Sequence, residues 1–445
     1  MSILRVIVSI TAACLLLLSL AAPAAATQLA ERETLPNGMV ILHTERHSVP
    51  MVSVIMAIKA GSISEPPEKA GLAYLTAALL AEGTERRTSR EISEAIEFFG
   101  GSLSASAGAD YTTVSLTILK KDIELGFDLL SDIVLHPAFR EEEVARKKLI
   151  TTNWLVQQNE EPGVVASIAF SKAVFGDHPY GRQVQGTVDT IPAITRQDLV
   201  DFHRSYFAPN NAIVSVVGDI SRDELKQLLG RYFGDWQTKK IPEIVLPDIA
   251  QKNGPTVIKV DKDLTQTNII LGHLGLTRVN PDYYAVTVMN YILGGGGFAS
   301  RLMDNIRDNR GLAYDVHSYF SANRYSGSFQ AGLQTKNESA NTAIAEVIKE
   351  MERIRTEQVS DRELDDAKSY LTGSFPLRID SNSKIAGFNF AVEYYSLGLD
   401  YIDRYPAIIN AITKEDILRV ARKYLDPAGY VLVVVGNLDK ADLKY

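Results

Sequence analysis

The chain has 445 residues, of which 46% are hydrophobic, 22% charged and 8% aromatic; this composition builds large packed cores and excludes disordered and fibrous classes. A net charge of −8 supplies no basic field for a phosphate backbone, so nucleic acid is not expected as a partner. One cysteine and seven histidines exclude a disulfide framework and a thiolate zinc site, both of which need several sulfurs.

In chain order, Met1 to Arg5 is a short basic start, Val6 to Ala21 an apolar run and Ala24-Ala25-Ala26 a small-residue cleavage site. Residues 1–26 therefore read as a secretory signal peptide that is removed on export. A lipoprotein reading of Cys14 would make the apolar run very short and leave Leu15 to Leu20 unexplained. No other stretch approaches the roughly 20 apolar residues of a membrane helix, so no membrane span is expected. Val52 to Lys59 reads as a strand, and Tyr111 to Leu119 alternates Val114, Leu116 and Ile118 with Thr113, Ser115 and Thr117, the pattern of a half-buried strand. Glu141 to Gln158 carries helical spacing. The polar, proline-bearing stretch from Lys239 to Pro255 reads as a linker. Beyond it, Asn268 to Gly272 is strand-like, Gly294 to Gly297 close a helix that begins near Asp282, and Asn341 to Arg355 is helical in spacing.

An internal repeat organises these elements. Ile194 to Ser221 aligns without a gap on Ile412 to Asp439 at a constant offset of 218, with nine of 28 positions identical. In both copies a Thr with an Asp three residues on caps a helix, a Pro ends the connection and a β-branched run stops at Gly. Thr195/Thr413, Tyr206/Tyr424, Pro209/Pro427 and Gly218/Gly436 all keep register. The expected architecture is α+β: two homologous domains, residues 27–238 and 257–445, joined by a linker at 239–256, each a mainly antiparallel sheet with helices on one face.

Four segments carry a resemblance: GLAYLTAALLAEGT at Gly71 to Thr84, FGDHPYGRQVQG at Phe175 to Gly186, the repeat unit that follows it, and GGGGFASRLMDNIRDNRGLAYDV at Gly294 to Val316. In combination they resemble the pitrilysin or insulinase family of zinc peptidases, which includes mitochondrial processing peptidase. The resemblance extends over both halves and implies half of a clamshell. Active members carry H-x-x-E-H on the helix corresponding to Gly71–Ala81, where residues four apart share a face and bind zinc while the Glu activates its water. Here Tyr74, Ala77 and Ala78 stand at those positions, and no Glu occurs near Thr152 and Asn153, where the further ligand falls. No catalytic zinc is expected in this chain.

Other metal or nucleophilic sets do not replace it. His43 and His47 are four apart in a strand running into a loop, where that spacing does not share a face, and they read as surface histidines. His178 reads as support for the loop after Phe175. His136, His203, His273 and His317 are scattered singly, and no Ser-His-Asp or Cys-His set can be assigned.

The resemblance also implies retained features. An Arg and a Tyr seven residues apart contact substrate across the cleft in active members, and Arg307 and Tyr314 have that spacing, whereas Arg301 and Arg310 do not. Gly294, Gly295, Gly296 and Gly297 resemble the glycine loop of the non-catalytic subunit of mitochondrial processing peptidase and imply a close-approach loop at the cleft. Ser102, Ser104, Ala105 and Ser106, within Gly101 to Ala107, correspond to the strand whose edge receives extended substrate. The sequence therefore leads to a non-catalytic, substrate-binding subunit of a heterodimeric zinc metalloendopeptidase in the periplasm. Zinc would reside in a homologous partner subunit, the substrate would be an unfolded peptide, and Arg307 and Tyr314 would complete the partner's active site in trans. An extracellular location is the alternative to the periplasm, and a structural or peptide-binding homologue without a role in proteolysis is the alternative function.

Overall fold

The structure is a computed structural model that describes residues 29–250 and 254–445; the expected signal peptide lies outside the described residues. Two sheets organise it. The first contains β1 (Glu31–Thr34), β2 (Val40–Glu45), β3 (Met51–Ile58), β4 (Ser102–Ala107), β5 (Thr112–Leu119) and β6 (Ala212–Gly218), in the order β1-β2-β6-β3-β5-β4. The second contains β7 (Thr256–Asp261), β8 (Gln266–Leu274), β9 (Ala313–Ala322), β10 (Gly327–Lys336) and β11 (Val431–Gly436), in the order β7-β11-β8-β10-β9. Without β1, the two orders are the same. The repeat seen in one helix-loop-strand unit thus extends to the whole sheet, and β9 is the counterpart of the edge strand β4. Most pairings are antiparallel; β2 with β6 and β7 with β11 are parallel.

The repeat units behave alike because their signals are local. Thr195 and Thr413 cap the helices Arg196–Tyr206 and Lys414–Tyr424, each closed by a reciprocal bond from the Asp three residues on. β6 and β11 follow, buried at every position. Gly218 ends β6 at φ +146°, where a Cβ would lie 2.1 Å from the Met51 carbonyl oxygen, which is why the chain leaves the sheet at a glycine.

Helices cover both faces of each sheet, which corrects the expectation of one. The second cover comes from the opposite half. The helix Pro162–Phe175 packs on β11 and β8 of the second sheet, and the helix Asn382–Tyr394 packs on β6 and β3 of the first. Phe170, Ala166 and Val174 meet Ile270, Val431, Val433 and Val435 in one cluster; Phe390 and Tyr394 meet Leu42, Ala57 and Ile213 in the reciprocal one. Double coverage explains why β6 and β11 are apolar at nearly every residue rather than alternating. The junction is also bonded: the Arg32 guanidinium donates twice to the Glu393 carboxylate at 2.9 Å, and Asn389 Nδ2 donates to Thr44 Oγ1 at 3.0 Å.

Candidate functional site

The helix Leu72–Leu79 carries the degenerate positions. Glu65 holds its start, accepting from the Gly71 and Ala73 amides at 2.8 and 2.7 Å, and burial pushes the Glu65 carboxyl up to about 8 against those donors. Tyr74 is half-buried against the first core, Ala77 is buried and Ala78 half-buried. The facing helix Glu141–Gln158 offers a buried Thr151 whose hydroxyl has no hydrogen-bond partner among the described residues, then Thr152 and Asn153. Zinc needs imidazole or carboxylate donors at these places, and alanine has no lone pair to give. The residues do not fit the ion. Among the described residues no group of three or more His, Cys, Asp or Glu could hold a metal elsewhere.

The histidines do not converge. His43 is buried with Nε2 2.9 Å from the Ile220 carbonyl, which corrects its reading as a surface residue. His47 is exposed between Asp219 and Glu45. His178 is buried and accepts from the Tyr180 amide at 3.1 Å, supporting the loop after Phe175.

In the second half, three arginines stand within one segment, Arg301 to Arg310, and the structure distinguishes them. Arg301 is buried in a two-pronged pair with Glu363 at 2.6 and 3.1 Å. Arg310 is held by Asn305 at 2.9 Å and Glu346 at 3.0 Å. Among the described residues, Arg307 meets only its neighbour Asp308 as a carboxylate, at 3.0 Å, and lays its guanidinium 5.4 Å from the Tyr314 ring and 4.7 Å from the Phe298 ring. Tyr314 is 86% exposed and Phe298 70%. A cation over two rings keeps its plane and presents its edge N–H groups outward. This cluster can donate to a peptide carbonyl and stabilise negative charge developing on it. Buried Ile306 anchors the π-helical segment Met303–Asn309 that carries Arg307, and Tyr314 follows on β9. Phe298 was not singled out from the sequence; its signal is an aromatic placed directly after four glycines.

Those glycines have divided roles. The helix Tyr283–Asn290 continues as a π-helical turn, Tyr291–Gly295. Gly294 is buried, and a Cβ there would lie 2.5 Å from Ser318 Oγ, so its place is packing against β9 rather than contact with a ligand. Gly295 and Gly297 are exposed beside Phe298, and Gly296 is half-buried against Tyr291.

β4 is an edge strand. Ser102, Ser104 and Ser106 face outward, while Leu103, Ala105 and Ala107 pack on the core, and the helix Leu72–Leu79 lies against it. Small outward side chains leave the strand's unpaired backbone groups open for addition of a further strand. The degenerate helix and β4 thus form one group in the first half, and Arg307, Tyr314 and Phe298 a second group in the other.

Comparison with known proteins agrees with this geometry. The insulinase family, peptidase family M16, matches residues 40–188, and the peptidase M16 inactive domain matches residues 193–371. An uncharacterized zinc protease of Mycobacterium leprae is 31% identical over 79% of this chain and 80% of its own length. The uncharacterized zinc protease YmxG of Bacillus subtilis is 26% identical over 92% of this chain and 99% of its own. Among solved structures, a peptidase M16 inactive domain from Pseudomonas fluorescens superposes with a TM-score of 0.86 at 29% identity, covering 92% of this chain and 98% of that one. The fold and the site define a peptidase-like half-shell with a degenerate metal position. The chain belongs to the insulinase family of peptidases, M16, and its inactive-type domain is consistent with a non-catalytic, peptidase-like subunit.

Proposed function

We propose that this chain is the substrate-binding subunit of a two-chain zinc endopeptidase in the periplasm, its partner a homologous chain that carries the metal. The observation that supports this most is selective: Tyr74, Ala77 and Ala78 occupy the zinc positions, while Arg307 remains outside the structural pairs that use Arg301 and Arg310 and stacks between Phe298 and Tyr314. In this reading an unfolded peptide lies as an added strand along β4. Arg307 and Tyr314 hold its carbonyl in the partner's active site and stabilise charge on that oxygen as the bond is attacked. The names of the relatives as zinc proteases support a proteolytic setting. To test it, this chain and a homologous M16 chain that carries H-x-x-E-H are purified alone and together, and cleavage of an unfolded peptide is followed. Activity should require both chains; equal cleavage by the partner alone would sink the proposal.

A further inference from the structure

The helix Pro162–Phe175 covers β11 and β8 of the second sheet and stops short of β10 and β9. A cavity of about 360 Å³ remains there, bounded by Ser167 and Tyr314; at ~30 Å³ per water molecule it holds far more than a bridging water. Its floor follows from strand alternation. Phe329, Ala331 and Leu333 of β10 face the second core, so Gln330, Gly332 and Gln334 face the cavity, next to Asn268 of β8 and His317 of β9. Gly332 makes the hollow: it pairs with His317, and a Cβ added to it would come within 3.3 Å of His317 Nε2. Asp315 also lines the cavity and hydrogen-bonds His317 at 2.9 Å; among the described residues the Nδ2 of Asn268 has no partner and no lysine or arginine lines the cavity.

We infer that this hollow over Gly332 is a subsite for a neutral, hydrogen-bonding side chain, a carboxamide, of the bound peptide. The inference rests on the peptide-binding reading above and names the class of substrate. An apolar side chain would leave carboxamide groups unpaired, an acidic one would meet Asp315 with no cation beside it, and a basic one would have to compete with His317 for Asp315. A carboxamide satisfies both donors and acceptors, and Tyr314 at the rim connects the subsite to Arg307.

The test measures binding rather than cleavage. Fluorescein-labelled peptides identical except for a central Gln, Asn, Leu, Asp or Lys are titrated into the whole chain by fluorescence anisotropy. The Gln and Asn peptides should bind about tenfold more tightly than the others, one good hydrogen-bonded contact's worth. Gly332→Leu, whose new side chain meets first the flexible end of His317, should erase that preference with unchanged melting temperature. Gln334→Leu, at an exposed position, should reduce it and keeps the test valid if Gly332→Leu fails to fold. Arg307→Ala should weaken all five peptides alike and preserve the preference. Wild-type affinities within twofold of each other, or a full preference in both folded variants, would overturn the subsite. Binding with a preference but no dependence on Arg307 would count against the trans role of Arg307 and leave the subsite standing.

Discussion

Arg301 and Arg307 lie six positions apart and do opposite work. Arg301 is 8% exposed, and removing one member of its buried pair with Glu363 leaves the other charge uncompensated. Arg301→Ala is expected to cost about 3 kcal/mol in urea denaturation, whereas Arg307→Ala should leave the denaturation midpoint in place. The pair also sets a pH dependence. Burial raises the Glu363 carboxyl, but the Arg301 guanidinium and the Ser360 amide outweigh it and hold it at about 2 against an ordinary 4.5. A depressed carboxylate contributes stability above its unfolded value and loses it as pH falls. The stability gap between wild type and Glu363→Gln should therefore be on the order of 2 kcal/mol at neutral pH, allowing for partial exposure, and should narrow as pH falls from about 4.5 towards 2. A gap of constant size at pH 7, 5, 4 and 3 would contradict this. The seven-residue spacing in the sequence selects Arg307 over its neighbours; the ring of Phe298 beside it depends on the π-helical turn, which leaves no periodic signal.

Among the elements, β4 carries the most direct prediction. A proline removes one backbone donor, and in an edge strand that donor faces either β5 or solvent. Ser104→Pro and Ala105→Pro, at consecutive positions, should therefore differ: one should lower the melting temperature, the other should spare it and weaken binding of extended peptides about tenfold, read by anisotropy. Equal effects of both on binding and stability would count against strand addition. The sequence makes some elements legible because their causes are local. The capping boxes at Thr195 and Thr413 and the alternation of Val114, Leu116 and Ile118 are such cases. Burial of His43 is not, because the face it occupies is closed by residues that arrive from Ile220 onward. Nor is the packing of Gly294, which reads as a helix stop and is required by Ser318, 24 residues away in sequence.

For the whole molecule, the exchange of the helices Pro162–Phe175 and Asn382–Tyr394 makes each half complete only with the other. Nothing in an apolar helix states which sheet it will cover, so the repeat reveals two halves but not their interlocking. The consequence is measurable: calorimetry should give one cooperative transition, and Phe170→Ala and Phe390→Ala, in opposite halves, should each shift that single peak through losses of about 3–5 kcal/mol. Two separated peaks would show the halves to be independent. The interlocking packs β4 and the Arg307 cluster into one fold, the arrangement that the proposed peptide-binding role calls for. The most direct measurement is kcat/KM for peptide cleavage by the two-chain complex containing either wild type or Arg307→Ala. A loss of about 100-fold, the scale of removing one donor to a developing oxyanion, with assembly and stability unchanged, is the predicted result. Equal kcat/KM for the two complexes would contradict a role for this chain in the partner's active site.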